Sequence, residues 1–206
     1  MKNSRTFSFL LIWLTLIPGV LLAASDDAID RAIAVRLVNA PAEVLGYSSE
    51  EVGMETEDRE LYEIYHESGL QALWVTHKGP GKHASALLEA IGNAEEEGLN
   101  PDDYHISSLQ QYWGHKKPDQ LASLDILISL ALIAWINDTS SGRIHPKKDH
   151  PELFARAGDR RASALTIVDN YRAANDPELY LAKLNPQHRY YRGLKEALPH
   201  YRALAR

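Results

Sequence analysis

The stretch from Leu121 to Ile136 reads LASLDILISLALIAWI and is apolar on almost every face, with only Ser123, Asp125 and Ser129 interrupting it. A helix that is apolar all round belongs inside a protein core rather than on its surface. The run is also shorter and more polar than a membrane span, which needs about 20 apolar residues. We therefore predict that residues 121–136 form the central helix of a small helical domain.

The segments on either side of this run have the spacing of amphipathic helices. A short apolar run, Leu73-Trp74-Val75, is compatible with a strand or with an extended plug. The fold class is therefore predicted to be mainly α, packed around the central helix, with little or no sheet. The other predicted helices cover 26–38, 58–68, 82–97, 106–113, 164–174, 177–184 and 186–206.

The first 24 residues have the pattern of a cleaved secretory signal peptide. Lys2 and Arg5 form a basic start, residues 7–22 are mostly apolar, and small residues follow at 23–25. The alternative is an uncleaved anchor of a peripheral membrane protein. We predict a periplasmic protein with no stable membrane span after signal cleavage.

Two further parts are predicted after the signal peptide. Residues 25–57 read as an N-terminal helix followed by a linker that contains Pro41, Gly46 and Gly53. Residues 58–206 carry the regular helical pattern and form the predicted domain. About 180 residues suffice to build a hydrophobic core that is stable without cross-links.

Composition excludes several classes of function. The 22 basic residues include Lys2 and Arg5, so removal of the signal leaves 20 against 28 acidic residues, a formal net charge of −8. Such a chain is not a general nucleic-acid binder, because that affinity rests on neutralising phosphates with Lys and Arg. The absence of cysteine excludes disulfides, thiolate metal sites and a cysteine nucleophile within these 206 residues.

The residues alone predict no catalytic centre, cofactor or metal site. Nine histidines are present, but none forms an H-E-x-x-H pair or any His pair spaced by four residues. The best local cluster is His145, Asp149 and His150 in a polar stretch, which leaves a metal-dependent hydrolase as an alternative. Glu95, Glu96 and Glu97 are consecutive and would spread over different faces of a helix, so we interpret them as a solvated surface.

Several short patterns together resemble a known domain. Their order and spacing are similar to those of the scaffold domain of the large periplasmic L,D-transpeptidases (YcbB-type), enzymes that cross-link peptidoglycan. The resemblance runs from about residue 58 to the C-terminus. The matching patterns are LQALWV at 70–75, ALLEA at 86–90, EEEGLNPDDY at 95–104, SGRIHP at 141–146 and LNPQHRYY at 184–191.

The resemblance implies a helical scaffold but not the family's chemistry. In those enzymes the nucleophilic cysteine lies in a separate YkuD-type domain with a Ser-His-Gly-Cys signature, and no such signature occurs here. We therefore predict a non-catalytic accessory protein of peptidoglycan cross-linking, with a partner L,D-transpeptidase or peptidoglycan itself as its target. The alternatives are an inactive N-terminal remnant of a split L,D-transpeptidase and a metal-dependent cell-wall hydrolase.

Five residues are predicted as an interaction surface because they fall in or beside loops: Trp74, Asp102, Tyr104, Arg143 and His188. Each has a structural alternative. Tyr104 and His188 are equally suited to holding helices together by hydrogen bonds, Arg143 to pairing with the acidic turn, and Trp74 to packing in the core.

Overall fold

The computed structural model describes residues 25–39, 54–143 and 162–205, and the statements below concern these ranges. They contain eight α-helices and one minimal antiparallel sheet of two strands, which confirms the predicted fold class. The helices are α1 Asp26–Asn39, α2 Met54–Glu67, α3 Lys82–Gly92, α4 Ile106–Trp113, α5 Pro118–Ser141, α6 Ala164–Arg172, α7 Pro177–Leu184 and α8 Arg189–Leu204. The strands are β1 Val75–Thr76 and β2 Gly79–Pro80, and two 3-10 helices cover Ala94–Glu97 and Pro101–Tyr104.

Helix α5 is the predicted central helix, and every residue from 121 to 129 is buried. It begins at Pro118, where a missing N–H costs nothing in the first turn, and it ends before Gly142, which has a φ of 82°. Helices α1, α3, α4, α6 and α7 all pack against it. A helix covered on every side explains why its sequence lacks a polar face.

The prediction that this helix is too short for a membrane was wrong. Residues 118–120 and 137–141 extend it to 24 residues, and within the described ranges it is the one helix long and apolar enough to span a bilayer. The rest of the domain buries 72% of its most apolar window. Its position in the core therefore accounts for its composition.

Helix α1 packs in the same core as the later helices. Ile29, Ile33 and Leu37, spaced by four residues, form its buried face. Two carboxylates fasten it to the chain on either side of β1: Asp30 Oδ1 accepts from the Ala72 N–H at 2.8 Å before the strand, and Asp26 Oδ1 accepts from the His77 N–H at 2.7 Å after it. The predicted domain boundary at residue 57 stays a prediction, although α1 is part of the packed body.

Asp125 is fully buried on α5 and fastens the extended segment 73–75 to the core. Its carboxylate accepts backbone N–H groups from Leu73 at 3.1 Å, Trp74 at 2.7 Å and Val75 at 3.0 Å. The Tyr65 hydroxyl on α2 donates to Asp125 Oδ1 at 2.7 Å. One side chain therefore joins α2, α5 and the strand that follows residue 74.

A chain of hydrogen bonds ends at this carboxylate, and each group in it donates to the next group towards Asp125. The hydroxyl proton of Tyr65 is used on Asp125, so the contact of 3.0 Å between Tyr65 and Ser129 requires the Ser129 hydroxyl to donate. The indole N–H of Trp74 in turn donates to Ser129 Oγ at 2.7 Å. Burial, together with the neighbouring Asp125 charge, raises the pKa of Tyr65 and keeps its hydroxyl protonated.

We expect this site to make stability depend on pH. Burial raises the pKa of Asp125 from an ordinary value of 3.8 to about 6, although the four donors oppose that shift. The folded state then binds more protons than the unfolded state between these values. The contribution of Asp125 to the free energy of unfolding is therefore greatest below pH 3.8 and falls by about 3 kcal/mol as the pH rises through 6.

The test compares the wild type with Asp125→Asn, which cannot titrate, in urea unfolding series between about pH 4 and about pH 7. The free energy of unfolding of the wild type should fall relative to that of the variant as the pH rises. Parallel curves for the two proteins would contradict the assignment of a raised pKa to Asp125.

Several predicted helix ends differ from the observed ones. The helix predicted over 82–97 stops at Gly92 and continues as the 3-10 helix Ala94–Glu97, which Gly98 ends with a φ of 78°. The last helix begins at Arg189 rather than 186 because His188 caps it, and α2 begins at Met54 rather than 58. The predicted signal at 1–24, most of the linker, and the cluster His145, Asp149 and His150 lie outside the described residues.

Candidate interaction surface

Two of the five residues predicted for an interaction surface are buried. The exposed fraction of Trp74 is 4%, its indole N–H bonds to Ser129, and its ring lies 5.8 Å from that of Tyr171. Trp74 is therefore a core residue, and its prediction as a surface residue was wrong because the extended segment folds inward onto Asp125. Tyr104 is fully buried and acts as one of the predicted helix-fastening residues.

Tyr104 and Arg143 meet at the C-terminal end of α5. The Tyr104 hydroxyl donates to Asp138 Oδ2 at 2.9 Å, and Arg143 Nε lies 3.5 Å from the same oxygen. Arg143 also pairs with Asp103 Oδ2 at 2.6 Å, as the structural alternative for this residue predicted. Burial, reinforced by the Asp138 carboxylate, raises the pKa of Tyr104, so the phenol stays a hydrogen-bond donor.

Asp102 and His188 are exposed, so either remains available to a partner. Asp102 precedes Asp103 in the 3-10 helix Pro101–Tyr104, and its backbone N–H donates to Asn100 Oδ1 at 3.3 Å. His188 lies elsewhere, at the start of α8, where its Nδ1 accepts from the Tyr190 N–H at 3.3 Å. The five predicted residues therefore do not form one surface.

Helix α8 is fastened to the body of the domain by polar contacts along one side. The Tyr191 hydroxyl donates to Glu97 Oε2 at 2.7 Å, and Lys195 Nζ donates to the other oxygen of the same carboxylate. Further along, Arg202 donates to the backbone oxygen of Glu95 at 2.5 Å. The three glutamates at 95–97, predicted to be a solvated surface, thus include two that hold the last helix.

The other side of α8 is an exposed apolar stripe. At 100° per residue, its four members fall within an arc of about 80° on the helix surface. Their exposed fractions are large for such side chains, and no residue of α8 is buried. We call this set the outer stripe: Tyr190 (64% exposed), Leu194 (72%), Tyr201 (67%) and Leu204 (70%).

The sequence analysis missed the outer stripe as a surface. Residues 191, 195, 198 and 202 and the stripe residues both recur at helical spacing, so the pattern alone could not tell which face is covered. The apolar residues of this helix cover a wider arc than one packed face needs. That width was the feature of the sequence that could have indicated an exposed apolar surface.

Helix α8 is basic within an acidic protein. Its charged residues are Arg189, Arg192, Lys195, Arg202 and a single Glu196, a formal charge of +3 against −6 for the whole chain. The Arg189 guanidinium lies 4.8 Å above the Tyr190 ring and also donates to its hydroxyl at 2.9 Å. The helix therefore presents apolar side chains bordered by positive charge.

A comparison with protein families assigns the fold. A model described as "Scaffold domain" matches residues 59–198. The chain belongs to the scaffold-domain family. This match is consistent with the scaffold domain of L,D-transpeptidases and confirms the resemblance drawn from the sequence patterns. The matched region extends from α2 into α8 and includes the Asp125 network and two of the four residues of the outer stripe, Tyr190 and Leu194.

Neither the curated proteins nor the solved structures contain a significant match to the chain. Within the part of the chain that the structure describes, no group of three or more His, Cys, Asp or Glu side chains is placed to hold a metal ion. The hydrolase hypothesis at His145, Asp149 and His150 stays a prediction, for which stoichiometric zinc in the purified protein is the test.

Proposed function

We propose that this chain is a non-catalytic, exported scaffold protein of peptidoglycan cross-linking that binds a partner L,D-transpeptidase in the periplasm. The observation that carries the proposal is the match of most of the chain to the scaffold domain. The outer stripe supports it, because an apolar helix face exposed on a folded domain is characteristic of a protein-binding surface. Such a helix binds by inserting its spaced side chains into an apolar groove.

The charge of α8 favours one kind of partner over a second copy of this chain. Two α8 helices packed face to face would bring two +3 helices together, and like charges disfavour that contact. A groove with an acidic rim on a transpeptidase would complement both the outer stripe and the basic residues beside it. Bare peptidoglycan is a poorer occupant, because Leu194 and Leu204 offer no hydrogen bond to a sugar.

The proposal is tested by capture from periplasmic extract with tagged mature protein, Ser25 to Arg206. We expect mass spectrometry to identify a protein that carries the Ser-His-Gly-Cys signature of a YkuD-type domain. A Leu194→Ala, Tyr201→Ala double variant should reduce its recovery about tenfold or more, because truncation of central anchors typically costs over 1 kcal/mol each.

The matched control is Leu179→Ala, which truncates an exposed leucine on α7 (49% exposed) outside the outer stripe. This variant should retain full capture. Recovery of no transpeptidase, or equal recovery by the double variant and the control, would contradict the proposed partner and its site. Sedimentation with purified sacculi in place of transpeptidase capture would identify a wall-binding protein instead.

A further inference from the structure

Helix α8 packs chiefly against the 3-10 helix Ala94–Glu97, and the two elements do not interdigitate. A cleft of about 490 Å³ remains between them, lined by Leu198 and Pro199 of α8 and by Glu95 and Glu96. Closely packed elements leave few gaps larger than a water molecule. Apolar packing therefore contributes little to the position of α8, since no residue of this helix is buried.

Polar bonds hold α8 in place, and Glu97 accepts two of them. The Glu97 side chain is 12% exposed, and its two oxygens accept from the Tyr191 hydroxyl and from Lys195 Nζ. We call these two bonds the Glu97 contact. Arg202 adds a bond to the Glu95 backbone oxygen, and its Nη1 lies 3.9 Å from Glu95 Oε2. Loss of the Glu97 contact would thus remove most of the polar attachment of α8 that the structure describes.

Helix α8 is too weak to persist by itself once it is released. Isolated helices shorter than about 15 residues are marginal in water even when they are rich in alanine, and Gly and Pro weaken a helix further. Helix α8 has 16 residues and contains both Gly193 and Pro199. Pro199 has no N–H to donate to the Lys195 carbonyl, so one bond is missing in the middle of the helix. A released α8 therefore unfolds unless another apolar surface receives it.

Docking on the 3-10 helix also separates one apolar residue from the outer stripe. A row of four apolar residues recurs along α8 at intervals of four, four and three positions: Tyr190, Leu194, Leu198 and Tyr201. This is the spacing of side chains that a helix inserts into an apolar groove. Leu198 is instead half-buried, and its Cδ2 lies 3.7 Å from the position that a Cβ would take on Gly98. Adding Leu198 would widen the exposed apolar arc from about 80° to about 120°, the width of a packed helix face.

We infer that α8 leaves the Glu97 contact when it binds its partner, a step that rests on the proposed function, and that the docked helix is an autoinhibited form of the binding surface. Release separates Leu198 from Gly98 and lets it enter the partner's groove together with the outer stripe. While most molecules are docked, the apparent affinity for the partner is reduced in proportion to the released fraction. Glu97 therefore controls how strongly the partner is bound.

The first test needs no partner and measures hydrogen exchange of the α8 amides in the mature protein by mass spectrometry. Glu97→Gln alters the Glu97 contact without changing α8 itself. It should speed exchange of α8 about tenfold, because bonds to a charged carboxylate are lost or weakened. Glu96→Gln is the matched control, since Glu96 is exposed on the same 3-10 helix and forms no bond to α8 within the described residues. The control should exchange like the wild type, and equal exchange of α8 in the two variants would overturn the inference.

The second test repeats the capture from periplasmic extract with limiting amounts of tagged protein. Glu97→Gln should recover several-fold more transpeptidase than the wild type, because a larger fraction of its α8 is released. Leu198→Ala added to Glu97→Gln should reverse this gain, because Leu198 contacts the partner only from a released helix. If Glu97→Gln did not raise recovery, or if Leu198→Ala had no effect, release would be overturned while capture by the wild type upheld the proposed function. Absence of the transpeptidase from every capture would overturn the proposed function, and release with it.

Discussion

Replacing Asp125 by alanine is expected to lower the free energy of unfolding by about 4 kcal/mol or more, since each buried donor left unpaired costs about 1–3 kcal/mol. Three backbone N–H groups of segment 73–75 and the Tyr65 hydroxyl would lose their acceptor at once. Asp125 and Tyr65 are fully buried, so bulk solvent does not contact them in the folded domain. The loss is a large fraction of the 5–15 kcal/mol by which domains are typically stable.

Urea unfolding followed by circular dichroism measures this effect. Asp119→Ala is the control on the same helix, since the Asp119 side chain is 79% exposed and its Oδ1 lies 3.5 Å from Arg36 Nη1. It should cost about 1 kcal/mol at most, as exposed ion pairs do. Similar costs for the two substitutions would contradict the role given to Asp125.

Replacing Leu124 by alanine is expected to lower the free energy of unfolding by about 3–5 kcal/mol. Leu124 is fully buried on α5, where helices pack from several sides, so the surroundings cannot collapse to fill the space. The cost combines the lost burial of the side chain with the cavity that remains. The same unfolding series measures it.

Leu194→Ala is the matched control, because the same side chain is truncated at a position that is 72% exposed. It should change the free energy of unfolding by about 0.5 kcal/mol at most. If it cost as much as Leu124→Ala, the outer stripe would be covered in the isolated protein and unavailable to a partner. A stable Leu194→Ala protein that fails to capture transpeptidase separates binding from folding.

The core helix was predictable because its signal is local. Sixteen nearly unbroken apolar residues are expected in a protein interior or a bilayer and not on a surface in contact with water. Its ends were less visible, since Pro118 and the polar residues 137–141 carry no apolar pattern but still continue the helix. The positions of the other helices were predictable for the same local reason, apart from their first and last turns.

The Asp125 network was not predictable from one sequence. Ser123, Asp125 and Ser129 read only as interruptions of an apolar run, because their partners lie far away in the chain. Tyr65 is 60 residues from Asp125, and Arg36, whose Nε donates to Ser123 Oγ at 3.1 Å, is 87 residues from its partner. Trp74 was placed on the surface for the same reason, since nothing local indicates that its segment is bound by a carboxylate.

The cluster at the end of α5 was partly predictable. Pairing with the acidic turn was the structural alternative for Arg143, and the structure brings its Nη1 to 2.6 Å from Asp103 Oδ2. The exposure of α8 depends on which of its two faces the 3-10 helix Ala94–Glu97 covers. The bonds of Tyr191 and Lys195 to Glu97 determine which face is covered, and a helical pattern does not show this.

The hydrogen bonds to Asp125 determine which elements of the domain unfold together. Because α2 and segment 73–75 both donate to one carboxylate on α5, detaching any of the three breaks buried hydrogen bonds to Asp125. These elements must therefore open as one cooperative unit, at a free energy close to that of complete unfolding. Helix α8 buries no residue of its own and is held by surface contacts, so it can detach while that unit stays closed. Helix α8, which is proposed to bind a partner, is thus the element whose detachment requires less free energy than opening the Asp125 unit.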